Sequence, residues 1–195
     1  MRIIAGTLKS RRLFFPKTIK TRPVTDRSKE TIFNILGSKT EAVSVLDLFA
    51  GSGSLGIEAL SRGALVVYFV DHASICCSCI DRNLVMLGLK SKGYVLKTDI
   101  SDALKKLKKW GKKFDLIFLD PPHNKGFIKK TLHQLDSSDI VTTFGIIVVG
   151  HSDKEALPEK LITLNLQRRV KIGQTFVSFL ARTNGTEKTT STLPG

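Results

Sequence analysis

The sequence predicts an α/β protein built around a mostly parallel, doubly wound sheet. From residue 45 onward, short runs of β-branched residues alternate with helical stretches in the order βαβαβαβαβ. This order is typical of parallel strands joined by right-handed helical crossovers. Two further runs, Leu161–Ile172 and Thr175–Arg182, flank Gly173-Gln174 and predict an antiparallel hairpin. The expected sheet therefore has seven strands and an antiparallel C-terminal end.

Each element can be placed on the sequence. The parallel strands are expected at Val45–Ala50, Leu65–Asp71, Tyr94–Thr98, Phe114–Leu119 and Gly145–Val149. The helices between them are expected at Leu55–Arg62, Ala73–Leu87, the lysine-rich Ile100–Trp110, and Lys125–Leu135. One antiparallel hairpin on a parallel sheet favours the Rossmann-like class I methyltransferase fold, because the sheets of nucleotide dehydrogenases usually remain parallel.

A short extension precedes the sheet. Arg2–Ile4 and Arg12–Phe15 are candidate strands that could pair as a small hairpin. Thr25 or Asp26 could cap a helix that ends at Leu36, because both side chains can accept a hydrogen bond from a first-turn amide.

The extension is also strongly basic. Residues 1–30 carry nine Lys or Arg and two acidic residues. Their net charge of +7 is half of the formal net charge of +14. Clustered positive charge of this kind is expected where a protein contacts phosphates. A solvated arm and a membrane-surface patch are the alternatives, but Pro16 and Pro23 interrupt the amphipathic helix that a membrane patch needs. Nucleic acid is therefore the favoured partner.

The three cysteines do not indicate a metal site or a disulfide. Cys76, Cys77 and Cys79 are near neighbours, and no second Cys or His pair lies at zinc spacing. We expect no metal, a reduced chain and a cytoplasmic location. The N-terminus lacks the apolar core of a secretory signal, and no apolar run approaches the roughly 20 residues of a membrane helix.

A glycine-rich loop follows the first strand. Gly51, Gly53 and Gly56 match the pattern G-x-G-x-x-G at a strand-to-helix junction, where glycine lets the backbone turn tightly and approach a ligand. Dinucleotide, flavin and S-adenosylmethionine sites all use such a loop, and a tight turn without a ligand is the alternative.

Four successive strands end near an acidic residue: Asp47, Asp71, Asp99 and Asp120. Open α/β sheets bind ligands at the carboxyl edge of the strands. Asp71 could accept hydrogen bonds from ribose hydroxyls, Asp99 could meet an adenine amino group, and Asp47 would lie near the amino-acid portion of a cofactor. Any one of these acids alone is more simply a helix cap, so the prediction rests on the set.

The motif Asp120-Pro121-Pro122-His123 indicates the chemistry. The two prolines stiffen the loop and remove two N–H donors, which leaves the Asp120 carboxylate and the backbone carbonyls near Pro121 as acceptors. Two fixed acceptors suit an exocyclic NH2 group, and they could orient its nitrogen toward the methyl group of S-adenosylmethionine. The base would leave its stack and rest against planar His123. The alternative is a proline-rich turn that caps the next helix.

The motifs together resemble one family of bacterial methyltransferases. Asp120-Pro121-Pro122 is similar to the [DN]-P-P-[YFW] motif of amino-methyltransferases. Residues 2–6, 21–36, 47–53 and 56–64 look like the RsmD family, the 16S rRNA (guanine(966)-N(2))-methyltransferases. The resemblance runs from residue 2 to about residue 182. The chain departs from the family at His123, where an aromatic Tyr or Phe is usual, and at Val149-Gly150-His151, where relatives often carry an acidic residue.

The resemblance implies methylation of guanine N2 in 16S rRNA of assembled or nearly assembled small subunits, by a protein expected to be monomeric. Implied catalytic residues are Asp120, Pro121, Pro122 and His123; implied cofactor ligands are Thr25, Asp47, Ala50, Gly51, Ser52, Gly53, Gly56, Asp71 and Asp99; implied RNA ligands are Arg2, Lys9, Arg11, Arg12, Arg22 and Arg27. We expect residues 1–40 to form an RNA-binding hairpin and helix, 41–182 the methyltransferase domain, and 183–195 a flexible tail.

Two other functions fit part of the pattern. A DNA adenine-N6 methyltransferase would use the same motif, although a chain of 195 residues leaves little room for a sequence-reading DNA domain. A catalytically silent RNA-binding assembly factor would explain His123. A nicotinamide dehydrogenase is disfavoured, because no acid–base pair of the needed kind follows a substrate domain.

Overall fold

The computed structural model describes residues 1–15, 24–122 and 125–183. Arg22, His123 and the expected tail beyond residue 183 lie outside the described residues. The seven strands are β1 Ser44–Leu48, β2 Val66–Asp71, β3 Gly93–Lys97, β4 Phe114–Leu119, β5 Val141–Ser152, β6 Leu164–Ile172 and β7 Thr175–Arg182. The helices are α1 Asp26–Leu36, α2 Ser54–Ser61, α3 Ser74–Met86, α4 Ile100–Lys109 and α5 Phe127–Asp136, and a 3-10 turn spans Gly37–Thr40.

All seven strands form one sheet in the order β3-β2-β1-β4-β5-β7-β6. The strands from β1 to β5 pair in parallel, whereas β7 is antiparallel to both β5 and β6. Helices α1, α2 and α3 pack on one face, and α4 and α5 pack on the other, so the sheet is buried between two apolar layers. The predicted sheet and its C-terminal hairpin are confirmed.

Three strands, β1, β5 and β6, differ from the prediction by more than one residue at a boundary. Strand β1 stops at Leu48, because Phe49 has a positive φ of 58° that extended backbone does not allow. Strand β5 covers twelve residues, because β7 pairs with it as far as Ser152. Strand β6 begins at Leu164, because the Asp136 carboxylate accepts hydrogen bonds from the amides of Ile162 and Thr163 and holds these two residues outside the strand.

The predicted N-terminal strands are reduced to a single antiparallel bridge between Arg2 and Arg12. The segment docks on α2 instead. The buried Glu58 carboxylate accepts hydrogen bonds from the amides of Ile4 (2.8 Å) and Ala5 (3.0 Å). Gly6 approaches so closely that a Cβ there would lie 1.8 Å from the Ser61 carbonyl oxygen. Amides committed to α2 are not available for a longer hairpin ladder.

The N-terminal segment shares the core of the sheet. Ile3 and Leu13 are buried in the same apolar cluster as Phe33 of α1. The Lys29 side chain is fully buried, and its ammonium donates to the Arg2 carbonyl oxygen near Glu58. Burial lowers the pKa of Lys29, and the Glu58 carboxylate partly opposes this effect.

The three cysteines are buried and unbonded to one another, as predicted. Burial raises the pKa of Cys76 to about 12 and of Cys79 to about 11, so these thiols remain protonated. Within the described ranges, no helix is long and apolar enough to cross a membrane.

Candidate functional site

The glycine loop is held in shape by Asp71. Gly51 and Gly53 have positive φ angles of 56° and 77°, so the chain reverses tightly between β1 and α2. One Asp71 oxygen accepts a hydrogen bond from the Gly51 amide at 2.9 Å, and the other accepts one from the Ala73 amide at 2.9 Å. The acid predicted to meet a ribose therefore also orders the loop that would face it.

Asp47 lies beneath the same loop. Its carboxylate accepts a hydrogen bond from the Gly56 amide at 3.0 Å and is almost completely buried. Burial raises the pKa of Asp47 well above its usual value, and the nearby charges of Asp120 and Asp71 add to this effect. Gly56 provides close packing, since a Cβ there would lie 2.3 Å from the Phe69 ring.

A pocket of about 340 Å³ opens at the carboxyl edge of β1, β2 and β3, and we call it the Asp99 pocket. Its lining is Phe49, Asp71, His72, Thr98, Asp99, Ile100, Ser101, Asp102, Pro122, Phe127, Lys130 and Thr131. Carboxylates provide acceptors on one side, and the rings of Phe49 and Phe127, with centroids 5.3 Å apart, provide an apolar side. This combination suits a nucleoside, which has hydroxyls to bind and a flat base to cover.

A second pocket, of about 460 Å³, lies on the face of the sheet that carries α1, and we call it the Asp120 pocket. Its lining is Val24, Thr25, Arg27, Ser28, Ile32, Leu55, Asp120, Val148, Gly150, Ile172, Gly173, Gln174, Thr175 and Val177. The wall from α1 begins at Thr25, whose hydroxyl caps the helix by accepting a hydrogen bond from the Ser28 amide at 3.1 Å. The opposite wall is the turn between β6 and β7.

The Asp-Pro-Pro segment separates the two pockets. Asp120 lines the second pocket, Pro122 lines the first, and Pro121 between them is buried. The position of the Asp120 side chain depends on Gly150 in β5: a Cβ there would lie 2.3 Å from Asp120 Oδ1. A side chain at position 150 would force the carboxylate to move.

The structure divides the predicted cofactor residues into three groups. Asp71 and Asp99 line the Asp99 pocket, whereas Thr25 lines the Asp120 pocket. The loop residues Ala50, Gly51, Ser52 and Gly53 and the helix residue Gly56 are not among the residues that line either pocket. Ser52 faces the N-terminal segment, where its hydroxyl contacts the sulfur of Met1 at 3.7 Å.

Five predicted RNA ligands lie in the described part of the chain, and all are exposed: Arg2, Lys9, Arg11, Arg12 and Arg27. The Arg2 guanidinium pairs with Asp26 at 3.1 Å. Arg27 borders the Asp120 pocket directly. Basic charge therefore extends from the N-terminal segment to the mouth of that pocket.

Sequence reasoning missed several lining residues. Phe49 and Phe127 could have been found, because each is close in sequence to a predicted ligand loop. No sequence signal connects Gly150 or Gln174 with Asp120, because their shared pocket exists only once β5 and the β6–β7 turn are in place.

His151, near which the family resemblance led us to expect an acid, is a structural residue in this chain. It is fully buried, and its Nε2 atom bonds to the Ser178 hydroxyl at 2.9 Å. Its ring stacks on Phe176 with centroids 5.8 Å apart. Burial lowers the pKa of His151, which favours the neutral imidazole. It links β5 to β7 behind the Asp120 pocket.

The sheet order, the single antiparallel strand and the pockets at the carboxyl edge define the Rossmann-like class I methyltransferase fold. A solved structure described as "Putative methyltransferase yhhF from Escherichia coli" superposes with a TM-score of 0.82 at 30% identity. The superposition covers 94% of this chain and 98% of that one.

Sequence comparisons give the family. The family described as "Conserved hypothetical protein 95" matches residues 1–181. "Putative rRNA methyltransferase YlbH" of Bacillus subtilis is 39% identical, over 91% of this chain and 97% of its own length. "Ribosomal RNA small subunit methyltransferase D" of Escherichia coli is 32% identical, over 89% and 86%. The chain belongs to this family, the RsmD family.

Proposed function

We propose that this protein transfers a methyl group from S-adenosylmethionine to the exocyclic N2 amino group of a guanine in 16S rRNA. One observation carries the proposal: the Asp-Pro-Pro segment stands between a pocket suited to a nucleoside and a larger pocket open to a basic surface. The names of the relatives from Bacillus subtilis and Escherichia coli support rRNA, and for the latter the small subunit, as the substrate.

The Asp99 pocket would hold the cofactor. Asp71 offers acceptors for ribose hydroxyls, Asp99 can accept from the adenine amino group, and Phe49 can cover the base. Among the described residues, only a backbone oxygen, at 4.0 Å, lies near the position of a Cβ on Gly51, which would leave room for the remainder of the ligand. Bound S-adenosylmethionine supplies an electrophilic methyl group on a sulfonium centre.

The Asp120 pocket would hold the target base. The Asp120 carboxylate and the Pro121 carbonyl would each accept a hydrogen bond from the guanine amino group, and His123 would stack on the ring. Once the nitrogen has displaced the sulfur from the methyl carbon, it would carry one proton too many, and Asp120 or water would accept that proton to leave the N2-methylated guanine.

The N-terminal region would bind the RNA. Arg2, Lys9, Arg11, Arg12, Arg22 and Arg27 would contact phosphates around the mouth of the Asp120 pocket. We treat residues 1–40 as the RNA-binding unit, 41–182 as the methyltransferase unit, and the protein as a cytoplasmic monomer that needs no metal.

A transfer assay with labelled S-adenosylmethionine tests the proposal. Undermodified small subunits, free 16S rRNA and duplex DNA are offered as acceptors, with and without a chelator, and labelled nucleotides are mapped. We expect label on a guanine of the small-subunit RNA in both conditions. Label in DNA alone would indicate an adenine-N6 methyltransferase. RNA binding without any turnover would indicate a silent assembly factor, and either result overturns the proposal.

A further inference from the structure

Nearly all of the excess positive charge lies in two segments. Residues 1–30 carry a net charge of +7, and residues 100–113, with six lysines and one aspartate, carry +5 of the total of +14. The remaining residues are therefore almost neutral. The proposed function uses the first segment and leaves the second, around α4, without a role.

The second segment forms a continuous basic surface, which we call the lysine surface. Its members are Lys105, Lys106, Lys108, Lys109, Trp110, Lys112 and Lys113, and all are exposed. The other side of α4 packs into the core through Ala103, Leu104 and Leu107. Ion pairs join Lys105 to Asp102 at 3.4 Å and Lys108 to Asp139 at 3.9 Å. Two acids therefore face six ammonium groups.

Exposed aromatic rings accompany these lysines. Trp110, which directly follows α4, is 51% exposed, and Tyr94 at the neighbouring end of β3 is 49% exposed. Tyr94 stacks on Tyr68 with ring centroids 5.0 Å apart, and the Lys112 ammonium lies 5.9 Å from the Tyr68 centroid. An exposed tryptophan beside lysines offers a planar ring on which a base can stack, next to charges that can pair with phosphates.

The lysine surface is separate from the predicted RNA-binding surface. Helix α4 lies on the opposite face of the sheet from α1 and the N-terminal segment. Helix α4 begins beside Asp99 at the proposed cofactor pocket. It runs for ten residues, or about 15 Å, toward the edge of the sheet where the parallel strands begin. RNA that fills the Asp120 pocket and also contacts the lysine surface would have to pass around the sheet.

We propose that the lysine surface is a second RNA-binding surface, which holds the phosphate backbone of another segment of the substrate rRNA and stacks Trp110 against an unpaired base. The proposal rests on the proposed function only for the identity of the RNA. Lysine pairs with phosphate without sequence preference, and tryptophan provides a planar platform for any base. An enzyme with basic surfaces on both faces would select RNA folded around it over a short fragment.

Trp110 provides a direct readout, because it is the single tryptophan in the sequence. Its fluorescence, excited at wavelengths that RNA does not absorb, is followed while deproteinised 16S rRNA is added without S-adenosylmethionine. We expect saturable quenching that fades as salt is raised. RNA binding by an independent filter assay with no change in Trp110 emission would overturn the proposal.

Charge variants locate the contact. The triple variant K106Q/K109Q/K113Q is compared with K90Q/K154Q/K160Q, which removes the same charge from exposed lysines outside the lysine surface and outside residues 1–40. Because the first triple removes three ammonium groups that would pair with phosphates, we expect it to weaken 16S rRNA binding about tenfold and to reduce the slope of log affinity against log salt by about two. The control should change neither. Equal losses of affinity in both triples would mean that only net charge matters, and would overturn the proposal.

A titration with phosphatidylserine vesicles distinguishes RNA from a membrane as the ligand of the lysine surface, and the transfer assay distinguishes binding from catalysis. Quenching by phosphatidylserine vesicles that 16S rRNA does not reverse would assign the surface to a membrane and overturn the proposal. None of these binding measurements requires methyl transfer. If transfer fails while Trp110 is still quenched by RNA, the proposed function falls and the RNA-binding surface stands. If methyl transfer succeeds but RNA does not quench Trp110, the proposed function stands and the second RNA-binding surface falls.

Discussion

The two pockets on either side of the Asp-Pro-Pro segment are built in different ways. The Asp99 pocket is lined by the end of β2 and by the loops after β1, β3 and β4, together with the first turns of α4 and α5, so it forms at the edge where the parallel strands end and the helices begin. The Asp120 pocket combines the start of α1, the end of β5 and the β6–β7 turn, which are far apart in the chain. The proposed cofactor pocket thus follows from the fold, whereas the proposed acceptor pocket depends on the N- and C-terminal elements that surround it.

Replacement of the residue shared by the mechanism and the acceptor wall should have the largest effect. We expect Asp120→Ala to lower kcat for small-subunit methylation by about a thousandfold, because the amino group loses its charged acceptor. The kcat of Asp120→Asn, which keeps one acceptor oxygen, should lie between that of the unchanged protein and that of Asp120→Ala. Calorimetric titration with S-adenosylmethionine should show nearly normal cofactor affinity in both variants. Loss of the folded state, seen by circular dichroism, would mean that Asp120 is structural.

A smaller loss is expected when Asp120 is displaced but not removed. In Gly150→Ala, the new methyl group would lie within 2.3 Å of Asp120 Oδ1 unless the carboxylate moves. This displacement of the carboxylate should lower kcat about a hundredfold and leave the affinity for the cofactor unchanged.

The control for Gly150→Ala is the same substitution in the Asp120→Ala background. With the carboxylate gone, the added methyl group has little left to displace, so the double variant should be no slower than Asp120→Ala. Additive losses of kcat would show that Gly150 acts on the pocket by another route, for example through the neighbouring strand.

The same contrast between the pockets limits what the sequence could predict. The spacing of Gly51, Asp71 and Asp99 along successive strands indicated one edge of a parallel sheet, and the structure places Asp71 and Asp99 in one pocket there. The close approach of Gly150 to Asp120 has no periodic or local signature, because a strand-end glycine is typical of a turn until the register of β4 and β5 is known. The N-terminal hairpin was overpredicted for a related reason: the burial of Glu58, which takes the amides of Ile4 and Ala5, is a tertiary event.

On the cofactor side, we expect a defect confined to S-adenosylmethionine. Asp99 is exposed and lines the Asp99 pocket, so Asp99→Asn removes an acceptor charge without disturbing the glycine loop. The dissociation constant for the cofactor should rise about tenfold, the loss typical of one charged hydrogen bond. Asp81→Asn on α3, which lines neither pocket, is the matched control. An increase in KM for small subunits at saturating cofactor would contradict the assignment.

On the acceptor side, the mirror-image change is Gln174→Ala. Gln174 lies in the exposed β6–β7 turn that walls the Asp120 pocket, and its amide can both donate to guanine O6 and accept from guanine N1–H. Loss of these neutral hydrogen bonds should raise KM for small subunits about fivefold and leave cofactor affinity unchanged. Gln167→Ala on β6, away from the pocket, should be silent. If Gln174→Ala weakened S-adenosylmethionine binding and Asp99→Asn weakened RNA binding, the two pockets would not have separate ligands. The division of labour between the strand ends and the terminal elements would then be wrong.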